Sequence, residues 1–561
     1  MSKFAIYQVL PRLFGNYNTT RKPHGTIQEN GCGKFNSFTP KALKEIKSMG
    51  ITHIWYTGVI EHATKTDYSA FGIRPDHPAV VKGNAGSPYA IKDYYDVDPD
   101  LAEDVPNRMK EFEALVERTH KAGMKVLIDF VPNHVSRQYH SDAKPEVVKD
   151  LGETDHPEWH FSPLNNFYYI PGQAFKPQFD VQDYSEFPAK ATGNDHFTAS
   201  PGINDWYETV KLNYGINYTE GSQRQFSPTP DTWFKMRDIL MFWAAKKIDG
   251  FRCDMAEMVP VEFWGWVIPQ VKKQFPEVIF IAEIYNPTEY RNYLANGKFD
   301  YLYDKVGLYD KLRDVTSKNH PVRNLSYCWQ LLGGIEDYML NFMENHDEQR
   351  IGSGFFCGNG MYAKPGMIVA ATLTKAPVMI YAGQELGELG MDAEGFSGVD
   401  GRTTIFDYWG VKSLQAWANN GKFDGAGLSK DQKELREFYR KLINIAVNEK
   451  AVTDGLMYDL EYFNFENPKF NSHEQFAYFR KHNDELLLFA LNFHDTHLDT
   501  EIRIPREAFQ YMNIEEGLAY SWQNLLDENE KCDNVVLSSD KVFEIQLPAW
   551  TGKILKFKLN K

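Results

Sequence analysis

Residues 125–134 read KVLIDFVPNH, an apolar run that ends abruptly in polar side chains. The apolar part, residues 125–131, has the composition of a buried β-strand, and longer amphipathic helical patterns lie on either side of it. Seven further apolar runs alternate with helical patterns in the same way, at residues 4–10, 51–57, 250–255, 278–284, 301–304, 340–344 and 378–382. Eight such units predict an α/β fold, a closed TIM (β/α)8 barrel rather than an open doubly wound sheet.

The helix ahead of the second predicted strand carries its own start and stop signals. Thr39 is a favourable N-cap residue, and Pro40 suits the first position of a helix. Gly50 is a typical residue just beyond a helix end. We therefore expect a helix that starts at Pro40 and continues through residues 41–49.

Two parts of the chain depart from the alternation of strands and helices. Residues 136–225 are rich in Pro, Asn, Gly, Asp and aromatic residues and predict an excursion domain (domain B) after strand 3. Short strand patterns separated by turns predict a C-terminal antiparallel β-sandwich. The predicted division is a barrel of residues 1–135 and 226–450, domain B at 136–225 and the sandwich at 451–561.

Composition restricts the classes of partner. The 561 residues carry a net charge of −15, so no global positive field is available to attract nucleic acid or anionic lipid. The five cysteines are dispersed and form no CxxC pair, which indicates neither a disulfide framework nor a thiolate zinc site. The first residues lack a signal-peptide pattern, and no apolar stretch is long enough to span a membrane. We expect a cytoplasmic protein without nucleic-acid or membrane partners.

Polar side chains collect at the ends of four predicted strands. The active face of a parallel barrel lies at the carboxyl ends of its strands, so Asp129, Asn133 and His134 are candidates for ligand contact. Local capping of the loop is the alternative for Asp129 and Asn133. In the run GFRCD at residues 250–254, the period of two places Arg252 and Asp254 on the same face. The guanidinium should lower the pKa of Asp254 and keep it ionised, as an attacking carboxylate requires; a structural ion pair is the alternative.

Two later strands end in acids as well. Glu283 interrupts the apolar run FIAEIY at residues 280–285, where desolvation favours the neutral acid that a proton donor needs. His346 and Asp347 follow the run at 340–344 and suit a buried pair, a metal fragment or sugar-hydroxyl ligands; no HExxH or Cys/His spacing supports a metal. One ionised and one protonated carboxyl group form the apparatus that cleaves glycosidic bonds.

Taken in chain order, the polar segments at these four strand ends resemble the four signature regions of the α-amylase family of glycoside hydrolases (family 13). They are residues 129–134, 250–254, 282–283 and 345–347, and the resemblance extends to residues 6–9 and 377–385. It implies that Asp254 is the nucleophile, Glu283 the acid and then the base, and Asp347 the third carboxylate, which holds sugar hydroxyls. Four further residues match substrate ligands of the family: Tyr89, His134, Arg252 and His346. Ordinary loop packing is the alternative for Tyr89.

The chain departs from the family at two places. Where calcium-binding amylases carry an acidic residue, residues 210–213 read VKLN, and the ammonium of Lys211 cannot ligate calcium. We expect no required cofactor, and Asn133 would be a ligand only if a calcium were present. After the nucleophile, Glu257 and Met258 stand where many amylases have Lys-His. This change leaves the product pattern, the tolerance of branches and the balance of hydrolysis against transfer open.

These observations predict an enzyme, a retaining α-glucan hydrolase that cleaves α-1,4-glucosidic bonds of starch, glycogen or maltodextrins through a covalent glycosyl-enzyme. A 4-α-glucanotransferase or a neopullulanase-like enzyme of the same family is the alternative. A non-catalytic carbohydrate-binding relative would be expected to lack at least one of the three acids. The sequence leaves the preferred chain length, endo or exo action and the oligomeric state open.

Overall fold

Eight parallel strands form the centre of the computed structural model, which describes residues 3–560. In chain order they are β1 (Ala5–Val9), β2 (His53–Tyr56), β3 (Lys125–Phe130), β4 (Gly250–Cys253), β5 (Ile279–Ala282), β6 (Tyr301–Tyr303), β7 (Met339–Leu340) and β8 (Val378–Tyr381). Seven of them lie inside predicted apolar runs, and β7 overlaps the eighth run. The apolar pattern therefore located every strand of the barrel.

The sheet closes on itself. Its strands pair in the order β7-β6-β5-β4-β3-β2-β1-β8, and a parallel bridge between Asn341 and Val378 joins the two ends. The predicted (β/α)8 barrel is confirmed.

Alternate residues of the strands divide between two apolar cores, as a period of two requires. Leu127 of β3 and Ile281 of β5 belong to the cluster inside the barrel. Their neighbours Ile128 and Phe280 belong to the larger cluster that packs against the helices. Apolar side chains fill the barrel interior. Polar side chains at the carboxyl ends of the strands therefore lie above this packed layer and face the opening at that end of the barrel.

Helices surround the barrel. The longer ones are Pro40–Ser48, Arg108–Lys121, Asp231–Ala245, Val261–Gln274, Leu325–Leu332, Lys364–Thr372 and Lys430–Asn448, with shorter ones at Tyr290–Ala295, Asp310–Thr316 and Lys412–Ala418. The Thr39 hydroxyl accepts a hydrogen bond from the Ala42 backbone N–H at 3.2 Å, which makes it the N-cap. The helix begins at Pro40, as its start signals predicted, and ends at Ser48, one residue before the predicted end. None of the helices within residues 3–560 has the length and apolarity needed to cross a bilayer.

Short antiparallel pairs occupy the excursion between β3 and the helix Asp231–Ala245. They join His134–Ser136 to Thr209–Lys211, Tyr169–Ile170 to Ala189–Lys190, and Ile216–Asn217 to Gln223–Arg224. The first pair continues directly from β3, so the excursion is fastened to the carboxyl end of the barrel. The limits 136–225 for domain B stay predictions.

The C-terminal region is a two-sheet structure. Six antiparallel strands pair in the order Leu456–Asp459, Gln475–His482, Glu485–Asn492, Thr551–Leu559, Ala519–Asn524 and Asp527–Val536. Leu498–Arg503 and Val542–Leu547 form the second sheet. Leu488 and Leu555 of the large sheet share a buried cluster with Ile502 and Phe543 of the small one. The predicted antiparallel β-sandwich is confirmed.

Candidate active site

Arg252 of β4 is the centre of a buried cluster of acids at the carboxyl end of the barrel. Its Nη1 lies 2.6 Å from Asp254 Oδ1 and 3.5 Å from Asp129 Oδ1. Its Nη2 lies 2.7 Å from Glu283 Oε2, and its Nε donates a hydrogen bond to the Tyr303 hydroxyl at 3.1 Å. One guanidinium therefore contacts acids from three neighbouring strands or strand ends.

Aromatic rings hold the same guanidinium in place. Its central carbon lies 5.2 Å from the ring centre of Trp55, 5.4 Å from that of Tyr89 and 5.4 Å from that of Tyr303. Burial alone acts to lower the pKa of Arg252, but Glu283 and the other surrounding groups outweigh it and raise the pKa well above its ordinary value. The site thus contains a fixed positive charge with little freedom to move.

The pKa of Asp254 differs from the sequence-based expectation. Arg252 acts to lower it, as expected, but burial acts more strongly in the opposite direction, and nearby Glu283 adds to the effect of burial. The pKa of Asp254 consequently lies well above 3.8. The expectation of a lowered pKa is wrong because it considered the guanidinium and left out the loss of hydration.

Glu283, directly after β5, has both carboxylate oxygens held by hydrogen bonds. Oε2 accepts from the Met255 backbone N–H at 2.8 Å, and Oε1 accepts from the Tyr285 hydroxyl at 2.6 Å. Met255, the residue after Asp254, has φ +42°, a left-handed conformation that is unusual for a side chain other than glycine. This turn directs the Met255 N–H at Glu283, so the backbone after one acid positions the other.

Asp347, in the loop after β7, has a side chain that is 41% exposed. His346 Nε2 lies 3.0 Å from Asp347 Oδ2 and 2.6 Å from the Tyr89 hydroxyl oxygen. The His346 and Tyr89 rings stack at 5.1 Å. Partial burial acts to raise the pKa of Asp347, but His346 outweighs it and the pKa falls to about 2. Asp347 is therefore an ionised acceptor that remains open to a ligand.

His134, where the chain enters domain B, is buried beside these residues. Its ring lies 5.1 Å from that of Trp206, and it contacts the backbone of Tyr89. Burial, with a further contribution from Lys211, lowers the pKa of His134 to about 3. The imidazole is neutral at ordinary pH and keeps one donor and one acceptor nitrogen.

Lys211 occupies the position at which the family resemblance raised the question of calcium. Its Nζ donates hydrogen bonds to Asn133 Oδ1 and, at 3.2 Å, to the Met258 carbonyl oxygen, and lies 2.6 Å from Asp195 Oδ1. Burial lowers the pKa of Lys211, while Asp195 acts to raise it. Three oxygen atoms that suit a hard cation are thus directed at an ammonium group, and the residues present do not fit a calcium ion in the same space.

The structure brings all the residues singled out by the family resemblance into one connected cluster. Sequence reasoning missed four of their contacts: Gln8, whose Nε2 lies 2.7 Å from His346 Nδ1, together with Trp55, Tyr285 and Tyr303. Three of these lie within the predicted strand runs at 4–10, 51–57 and 301–304, and Tyr285 follows the run at 278–284. Their position at the carboxyl end was a usable signal, but nothing local to them identified their partners.

Comparison with known proteins agrees with this architecture. The family model "Alpha amylase, catalytic domain" matches residues 8–512. Alpha-amylase 3 of Dictyoglomus thermophilum is 23% identical over 471 residues, covering 80% of this chain and 78% of the relative. Neopullulanase 2 of Thermoactinomyces vulgaris is 23% identical over 404 residues, covering 69% of this chain and 56% of the relative, so the match spans little more than half of that protein.

Solved structures resemble the whole chain. An alpha-amylase from Geobacillus thermoleovorans, complexed with acarbose, aligns with a TM-score of 0.64 at 19% identity, covering 100% of this chain and 99% of that structure. A maltogenic alpha-amylase from Thermotoga neapolitana aligns with a TM-score of 0.62 at 19% identity, covering 99% of each chain. At this identity the likeness establishes the fold. The family match over residues 8–512 goes further, and it identifies the chain as a glycoside hydrolase of the alpha-amylase family.

Proposed function

We propose that this enzyme is a retaining α-glucan hydrolase that cleaves α-1,4-glucosidic bonds of starch, glycogen or maltodextrins. The observation that carries the proposal is the sharing of the Arg252 guanidinium between Asp254 and Glu283, with Asp347 open beside them. A retaining enzyme needs two carboxyl groups close together on either side of one glycosidic bond. Acarbose and maltose are bound by structurally similar proteins, which is consistent with an α-glucan substrate.

In the proposed reaction, Glu283 donates its proton to the glycosidic oxygen while Asp254 attacks the anomeric carbon. The bond to the leaving sugar breaks, and a covalent glycosyl-enzyme forms at Asp254. Glu283, now ionised, removes a proton from an entering water molecule, whose oxygen replaces Asp254 at the anomeric carbon. Arg252 lies beside both acids throughout and stabilises the ionised form of each in turn.

The remaining residues would bind the sugar that carries the anomeric carbon. Asp347, ionised and partly exposed, can accept hydrogen bonds from two neighbouring hydroxyl groups. One face of the Tyr89 ring packs on His346, which holds the ring as a flat support for a sugar on its other face. His134 can add a donor from the domain B side.

The same residues also support transfer to a sugar acceptor, because the covalent intermediate can be resolved by a sugar hydroxyl as well as by water. They support cleavage of α-1,6 bonds as well, because the same two acids can act on either linkage. By the family resemblance, the departure at Glu257 and Met258 is on the leaving-group side, where an acceptor would bind. A 4-α-glucanotransferase or a neopullulanase-like enzyme is therefore the second candidate.

A product analysis separates these candidates. With maltoheptaose as the only substrate, we expect chiefly products shorter than the substrate, released first as the α-anomer. In a separate incubation with pullulan, we expect little product. Products longer than maltoheptaose would identify a transferase, and rapid release from pullulan a neopullulanase-like enzyme. Release of the β-anomer, or no release of reducing sugar from any of the three substrates glycogen, maltoheptaose and pullulan, would contradict the proposal.

We also propose that Lys211 takes the place of a structural calcium, so that chelator leaves activity and melting temperature unchanged. Lys211→Met should destabilise the protein by about 1–3 kcal/mol, because it leaves the buried Asn133 oxygen without its partner. Lys149→Met is the matched control, since its pair with Glu153 is exposed to solvent and its loss should leave the stability nearly unchanged. Loss of activity in chelator that added calcium restores would contradict this role of Lys211.

A further inference from the structure

Glu257 joins the loop that follows β4 to the loop that follows β5. Its Oε2 accepts hydrogen bonds from two successive backbone N–H groups, that of Tyr285 at 3.1 Å and that of Asn286 at 3.0 Å. Hydrogen bonds to an ionised acceptor are about twice as strong as those between neutral groups. A single carboxylate oxygen therefore fixes the backbone immediately after Glu283.

Tyr285, whose backbone Glu257 holds, also contacts Glu283 with its side chain. The Tyr285 hydroxyl donates to Glu283 Oε1 at 2.6 Å. Burial, with the nearby Glu283, raises the pKa of the Tyr285 phenol far above its ordinary value, so the phenol remains a donor. Met255, two residues before Glu257, donates its N–H to the other oxygen of Glu283 at 2.8 Å. These two hydrogen bonds to Glu283 thus come from segments that Glu257 connects.

The turn that carries Glu257 is itself rigidly held. The Trp264 indole N–H donates to the Ala256 carbonyl oxygen at 3.1 Å. The Tyr293 hydroxyl lies 3.1 Å from the Glu257 carbonyl oxygen and 2.9 Å from the Val259 carbonyl oxygen. Because the turn is tied to two helices by buried aromatic side chains, Glu257 is a firm attachment point for the loop after β5.

We propose that Glu257 is a positioning residue for Glu283, acting through the Tyr285 backbone and the Tyr285 phenol. The inference rests on the proposed role of Glu283 as proton donor and acceptor. A lysine, which many amylases carry at this position, has no acceptor atom and cannot make these two bonds. The glutamate at position 257 therefore adds a contact that a lysine cannot make: it links the loop after β4 to the loop after β5.

The test compares three variants by kcat, KM and pH profile on maltoheptaose. Glu257→Ala should lower kcat by about 10- to 100-fold with little change in KM, because Glu283 loses its alignment with the glycosidic oxygen. Glu257→Gln should recover most of the activity, because its amide oxygen can still accept both N–H bonds. Glu289→Ala is the matched control: Glu289 lines the same surface groove as Glu257, but within residues 3–560 its side chain hydrogen-bonds to Asn292, at 2.8 Å, and not to the loop after β5.

The pH profile reports on the Tyr285 contact. A hydrogen bond to a carboxylate favours its ionised form, so losing it should move the basic limb of the kcat/KM profile to higher pH. We expect this movement in Glu257→Ala and in Tyr285→Phe, and not in Glu257→Gln or Glu289→Ala. The double variant Glu257→Ala/Tyr285→Phe should lose less than the product of the two single losses, since both act through one contact.

Each outcome decides the matter. Wild-type kcat in Glu257→Ala, a change in KM alone, or an equal loss in Glu289→Ala would overturn the positioning role and leave the proposed function intact. If Glu257→Ala melts far below the wild type, Glu257→Gln and Tyr285→Phe provide the test instead. The positioning role is then overturned if the basic limb of the kcat/KM profile of Tyr285→Phe coincides with that of the wild type. A wild-type enzyme that cleaves no glucan overturns the proposed function and the positioning role with it.

Discussion

Replacing Asp254 with asparagine should lower kcat by about 10⁴-fold or more, because an uncharged amide cannot form the glycosyl-enzyme. Asparagine has nearly the same shape, and its carbonyl oxygen can still accept from Arg252, whose Nη1 lies 2.6 Å from Asp254 Oδ1 in the wild type. Glucan binding should therefore stay largely intact. The measurements are kcat by reducing-sugar release and maltooligosaccharide affinity by calorimetry.

Glu277→Gln is the control for this variant. Glu277 is an exposed acid just before β5, at the opposite end of the barrel from Glu283, so the change removes a carboxylate without touching the site. Its kcat should equal that of the wild type. An Asp254→Asn enzyme that retains near wild-type rate, after mass spectrometry has excluded deamidation, would reject Asp254 as the nucleophile.

Replacing Arg252 with methionine should destabilise the protein by about 3–5 kcal/mol, the usual cost of leaving buried charges without their partner. The variant keeps Asp129, Asp254 and Glu283 but removes the cation that all three contact. Activity should fall sharply as well, because the mutual repulsion of the acids is no longer offset. Denaturant unfolding at several pH values, with matched rate measurements, tests both effects.

The pH dependence of this variant has a definite sign. In the wild type the pKa of Asp254 already lies above 3.8, so kcat/KM should fall as pH decreases through that raised value. Arg252 acts to lower the pKa, so its removal should move this acidic limb to still higher pH. A carboxyl whose pKa is raised by folding favours the folded state at low pH and loses that contribution as pH rises, so the stability deficit of Arg252→Met should shrink on acidification.

Arg252→Lys separates charge from geometry. Lysine keeps the positive charge, but a single ammonium cannot reach both acids as the two-pronged guanidinium does. We therefore expect stability between those of the wild type and Arg252→Met, and activity nearer to that of Arg252→Met. A methionine variant within about 1 kcal/mol of the wild type, the level of an exposed ion pair, would show that the cluster does not depend on the cation.

The local sequence pattern was sufficient to predict an element wherever residue type and short spacing within that element carry the signal. The apolar runs located the barrel strands because burial on both faces of a parallel sheet imposes a continuous apolar sequence. The edge strand Asp527–Val536 carries little apolar signal, because most of its residues are exposed. β7 ends at Leu340, and the polar residues at its end lie in the loop that delivers His346 and Asp347 to the site.

The sequence by itself determined the barrel, the sandwich and the presence of three acids at strand ends, since these follow from residue type and short spacing. Only the tertiary structure decided how those acids interact. Arg252 lies between acids that are remote in the chain, burial reverses the expected pKa direction of Asp254, and Glu257 meets a loop 28 residues away. Hydration and distance depend on what the fold packs around each group, and neither is encoded in the residues beside it.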